Sequence, residues 1–215
     1  MQGVREHFDD DRDPTYPVFR RPFADLGLVW RDRALRSLAG ASGCFAGVQL
    51  SVTTFAVAML VEDLGYGLVL AGTVLAAHQA AAVGGRMFWG QVADVIGDGT
   101  RTLMIVAAIA GGAALACLTL SASSSTAMVV AVFSLLGASA IGWNGVMLAE
   151  LARIAPPGKA GFVTGGSVFI TFGGVVLAPA VFSALLALGF GYGTGFAMLA
   201  GLSLLGAGLA LRHRA

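Results

Sequence analysis

The apolar residues of this chain fall into six long runs, at about 37–60, 67–90, 102–121, 127–152, 161–187 and 192–211, separated by short polar breaks. Each run is near or above the ~20 residues that carry an α-helix across the hydrocarbon core of a bilayer. Leu, Val, Ala and Gly fill them, without the two-residue alternation of a membrane β-barrel strand. Helices are the economical reading, because each backbone amide left unpaired in lipid costs several kcal/mol. The pattern predicts an all-α integral membrane domain over residues 37–211, a polar tail or linker over 1–36 and a short tail over 212–215. Within the linker, Pro14, Pro17 and Pro22 punctuate the chain. Residues 23–30 read as a short amphipathic piece at the membrane surface.

Composition supports this division. Charged residues make up 12% of the 215 residues and hydrophobic ones 57%, against roughly 25% charged in a soluble domain. Of the 25 charged side chains, 14 lie in residues 1–36 and 11 in the remaining 179. The net charge of +1 leaves no electrostatic footprint for nucleic acid. Cys44 and Cys117 sit far apart in apolar runs and read as small hydrophobes. Neither a metal site nor a cofactor is implied. The first residues are charged, with no early apolar stretch of a signal peptide.

Charge placement also predicts topology. With six spans, the linker, the 94–101 loop, the 153–159 loop and the C-terminal tail share one side of the membrane. All 13 Lys/Arg fall there, counting Arg86 at the near end of the second span, and none falls in the three opposite loops. Positive residues collect on the cytoplasmic side. Both termini are therefore expected to be cytoplasmic, in a multi-pass protein of the inner (plasma) membrane.

At the end of the second span the sequence reads Gly90-Gln91-Val92-Ala93-Asp94-Val95-Ile96-Gly97-Asp98-Gly99-Thr100-Arg101. It resembles the cytoplasmic loop signature of the major facilitator superfamily, with Gly90, Asp94, Gly97 and Arg101 in matching places. Val95 and Gly99 stand where that signature carries basic residues. The expected roles are close helix approach at Gly90, capping of a following helix N-terminus by Asp94, a tight turn at Gly97 and a partner charge from Arg101. The charged stretch around Arg31-Asp32-Arg33 resembles the loop between the family's two halves. Gly142-Trp143-Asn144-Gly145 and Pro156-Pro157-Gly158-Lys159 are similar to its tenth helix and the loop into its eleventh. Gly173, Gly174 and Pro179 fall where family members carry a flexible gating helix.

The resemblance implies a C-terminal six-helix half, helices seven to twelve, built as two three-helix inverted repeats over residues 37–121 and 127–211. It implies secondary transport of a small solute, often coupled to protons, without ATP. The partners it implies are the lipid bilayer and either an N-terminal six-helix half or a second copy. The family places its cavity among the first, second, fourth and fifth helices of each half. Gln49, His78, Gln79, Asn144, Ser167 and Thr171 all come from those spans, whereas the third and sixth spans hold almost nothing polar. Polar groups within lipid are costly and face a cavity or another helix. His78 accordingly either carries a coupled proton or contacts substrate, or it makes an interhelical hydrogen bond with no transport role.

Two other readings compete with transport. Gly40-Ala41-Ser42-Gly43 matches the GxSG of rhomboid proteases, but Ser42 lies at the cytoplasmic end of the first span and His78 near the middle of the second. Rhomboids carry these groups on their fourth and sixth helices, so no enzymatic role is expected. The alternative to transport is a six-helix membrane protein, or transporter remnant, without activity of its own. Gly43 with Gly47, and Gly161 with Gly165, match the close-packing GxxxG spacing.

Overall fold

The computed structural model describes residues 24–212, and within it the side chains from Leu26 onward. The prolines of the linker, Phe23 and the last three residues lie outside that range. Every regular element among the described residues is helical. A short helix α1 (Ala24–Arg31) precedes α2 (Arg33–Glu62), α3 (Leu68–Ile96) and α4 (Gly99–Ala116), the last extended by a 3₁₀ turn over Cys117–Thr119. The second set comprises α5 (Thr126–Ala140), α6 (Asn144–Ile154), α7 (Ala160–Ala187) and α8 (Tyr192–Arg212). Among the described residues, six spans, counting α5 and α6 together, are long and apolar enough to cross a membrane.

The starts and stops follow local chemistry. The Asp32 carboxylate accepts from the amides of Ala34 (2.8 Å) and Leu35 (3.0 Å), capping α2. Ser125 accepts from the Met128 amide and caps α5. Gly97, with φ +64°, stops α3 in the left-handed conformation glycine tolerates best. Because no residue before Gly97 breaks the helix, α3 runs six residues past its apolar core. Gly90 and Asp94 lie in its final turns, and the connection to α4 is only Gly97-Asp98.

The fourth span is not the single helix that its hydrophobicity predicts. It breaks over residues 141–143. The Trp89 indole Nε1–H donates to the Ala138 carbonyl at 2.9 Å, taking the acceptor that the Gly142 amide would use in a continuous helix. Asn144 Nδ2 then donates to the freed Ile141 carbonyl at 3.0 Å. A side chain from the second span and one just after the break thus replace backbone partners. Only the three-dimensional packing brings the indole there.

Helix pairing carries a repeat. The first span packs most extensively on the fifth, and the second on the fourth. Exchanging spans one, two and three for four, five and six turns each of these pairs into the other. The third and sixth spans pack on one another, as the same exchange requires. Both major seams are closed by glycine. Gly174 abuts the Gly43 backbone and Gly137 abuts the His78 carbonyl, so a Cβ at either would collide with main chain. The Gly43/Gly47 spacing therefore serves packing within this chain, while Gly161 meets nothing within 4 Å. The repeat is legible in packing even though the two halves share little sequence.

Candidate functional site

The candidate polar and loop residues fall in three places. A groove of about 350 Å³ between α2, α6 and α7 is lined by Ser42, Gln49, Trp143, Asn144, Thr164, Ser167 and Thr171 among apolar neighbours. Asn144 Nδ2 donates to Gln49 Oε1 at 3.2 Å, joining the first span to the fourth. The Ser42 and Thr171 hydroxyls lie 2.7 Å apart, joining the first to the fifth. Trp143 packs against Phe45, with ring centroids 5.7 Å apart. The break between α5 and α6 sets this geometry, placing Trp143 and Asn144 at the start of α6 against the groove.

Gln49, Asn144 and Thr171 are thus brought together, with Ser42, Trp143, Thr164 and Ser167 beside them. Ser42 and Thr164 carry no sequence signal for this position, because small hydroxyl residues commonly satisfy their own helix backbone. Trp143 Nε1 and the Ser167 hydroxyl are buried without a hydrogen-bond partner. Every polar side chain of the lining is uncharged.

His78 and Gln79 lie elsewhere, contrary to the expectation of one shared cavity. His78 is fully buried in the α3–α5 seam, and its Nδ1 lies 2.9 Å from the Phe133 carbonyl oxygen. Since a carbonyl only accepts, Nδ1 carries the proton. Nε2 has no partner. Gln79 is exposed, because the next residue along a helix turns 100° away from its neighbour. The physical reason for the difference is rotational. Position along the span was readable, but the face each residue takes depends on which helix it packs against.

The third place is the end of the bundle near Gly97-Asp98. Here Asp98, and not Asp94, caps α4, accepting from the Arg101 amide at 3.0 Å. Arg101 Nε pairs with Asp98 Oδ2 at 3.1 Å. Asp94 is exposed in the last turn of α3, and none of the described residues pairs with it. Gly90 meets nothing within 4 Å, and the close approach on α3 falls at Gly85 against Ala138. Buried Glu150 accepts from Arg153 at 2.9 and 2.7 Å, and from the Thr100 hydroxyl at 3.2 Å, tying α6 to α4. On α7, Gly174 forms the seam with Gly43, Gly173 is open on one side, and Pro179 sits within the helix.

The sequence model of the Major Facilitator Superfamily matches residues 4–179 of this chain. No curated protein sequence matches it.

Proposed function

Because the chain belongs to the major facilitator superfamily, whose model covers well over half its length, it is a membrane transporter of that type, and we propose that the α2–α6–α7 groove binds the transported solute. The observation that carries this reading is convergence. Three spans contribute hydrogen-bonding side chains to one recess, although the bilayer penalises each such group. With Gln49, Asn144, Ser167 and Thr171 all uncharged, the preferred solute is a small neutral molecule rich in hydroxyl or amide groups. Transport then has a direct source of selectivity. A site that hydrogen-bonds a substrate rejects analogues lacking those groups, because its own polar atoms are left unpaired.

A second six-helix body completes the path, either a partner half or another copy. The second span offers its docking face, since its most apolar stretch is only 28% buried, against 39–50% in the first, third, fourth and sixth. The Lys/Arg distribution supports cytoplasmic termini in the plasma membrane. Proton coupling, where the family reading extends to it, runs through His78. Its Nε2 faces the α3–α5 seam unpaired, so adding a proton there would bias any sliding of those helices.

The test is uptake into proteoliposomes of labelled neutral polyols and amides beside labelled organic acids and amines. Neutral solutes are expected to enter saturably. A Gln49→Leu/Asn144→Leu variant is expected to raise KM by about tenfold, which corresponds to about 1.4 kcal/mol of lost binding. Unchanged KM in a folded double variant, or uptake confined to charged solutes, would refute the assignment.

A further inference from the structure

A second, larger recess lies on the outer flank of α7. It encloses about 690 Å³ and is walled by Gly40, Gly43 and Cys44 of α2, Phe169, Gly173 and Leu177 of α7, and residues of α8. Trp30 of α1 also lines it and is 59% exposed. The wall contributed by α7 runs from Phe169 to Val181. Those twelve residue steps of helix span ~18 Å, close to the ~15 Å hydrocarbon depth of one leaflet.

Charge collects at one end of this recess. Arg33, Arg36, Gly40 and Gly43 recur at three- and four-residue intervals, so they share one face of α2. The two arginines therefore stand directly above the glycine wall. Arg36 Nη1 donates to the Trp30 carbonyl at 3.0 Å, and its guanidinium lies 6.0 Å from the Trp30 ring centroid. That leaves most of its N–H groups open. Both arginines are exposed, and neither has an ion-pair partner among the described residues. The nearby Asp32 carboxylate is already engaged by the α2 amides.

We propose that this recess is a stoichiometric site for one anionic phospholipid of the leaflet on the α1 side. The phosphate sits on Arg33 and Arg36, and one acyl chain lies along the glycine wall. Guanidinium groups take phosphate oxygens by paired N–H donors, and basic clusters beside a span attract anionic lipid. The missing side chains at Gly173 and at Gly201 of α8, where a Cβ would meet nothing within 4 Å, make room for the chain, while Trp30 takes the interfacial position indoles prefer. This site is separate from the solute groove, on the other side of α7.

The full chain, incorporated in nanodiscs of equal phosphatidylglycerol and phosphatidylcholine, is released and analysed by native mass spectrometry. One retained phosphatidylglycerol per chain is expected, at least fivefold over phosphatidylcholine. Arg33→Gln/Arg36→Gln is expected to erase that preference. Gly173→Leu, whose new side chain meets no atom within 4 Å at its Cβ, is expected to fill the recess and cut retention of both lipids. Equal retention of the two lipids by the unaltered chain, or no effect of either variant, overturns the proposal. So does capture of a Gly173→Cys probe by a second six-helix chain in place of lipid.

Discussion

Gly173 and Gly174 are neighbours in sequence, yet alanine at each is expected to shift stability in opposite directions. A Cβ on Gly174 would lie 2.9 Å from the Gly43 Cα and nearer still to its carbonyl group. Carbon atoms prefer about 3.5–4.0 Å, and main chain cannot rotate aside as a side chain does. The α2–α7 seam must therefore part by about 1 Å or more, which forfeits about half of each dispersion well along it. Overpacking costs about 1–3 kcal/mol, and a Cβ driven against main chain takes the upper part of that range, about 2–3 kcal/mol. Alanine recovers up to about 1 kcal/mol in helix propensity, leaving a net loss of about 1–2 kcal/mol. At about 2–4 °C per kcal/mol for a chain of this size, Gly174→Ala lowers Tm by about 2–8 °C. A Cβ on Gly173 meets nothing within 4 Å, so Gly173→Ala keeps only the propensity gain and leaves Tm unchanged or slightly raised. Thermal unfolding in detergent, followed by circular dichroism and by a thiol-reactive dye reporting on buried Cys117, measures both. Equal losses in the two variants, or no loss at Gly174, would refute the close-packed seam.

Two further outcomes are expected. His78→Ala should flatten the pH dependence of uptake while the protein still inserts and folds. A lower Tm with an unaltered pH profile would instead leave His78 as a packing residue that satisfies the Phe133 carbonyl. For topology, Val95→Cys and Ser123→Cys probes sit on opposite ends of the bundle, Val95 being 88% exposed. A membrane-impermeant maleimide should label Ser123→Cys in intact cells and Val95→Cys only after permeabilisation, and labelling of both from outside would remove the cytoplasmic placement of the termini.

The solute groove rests on side chains from three separate spans, and its recognition depended unequally on sequence and structure. Gln49, Asn144 and Thr171 stood out because amides and hydroxyls are conspicuous in greasy helices. Ser167 stood with them on a span the family assigns to its cavity, whereas Trp143 carried no indication that it would flank the same recess. The loop signature located the turn at Gly97 but assigned the cap to Asp94, when Asp98 stands one residue from the new helix and so reaches its amides.

Span number and approximate limits were determined by the sequence alone, because a bilayer leaves helices as the only way to satisfy twenty successive backbone amides and penalises a misplaced arginine heavily. Those are one-dimensional constraints. The rotation of each helix, the break at residues 141–143, and the division of His78 from the groove were decided only by tertiary structure. A lipid-facing surface and a helix-facing one are both apolar, so hydrophobicity carries little signal for which side packs inward. The choice falls to backbone contacts at Gly43, Gly137 and Gly174, and to an indole from one span taking a carbonyl from another.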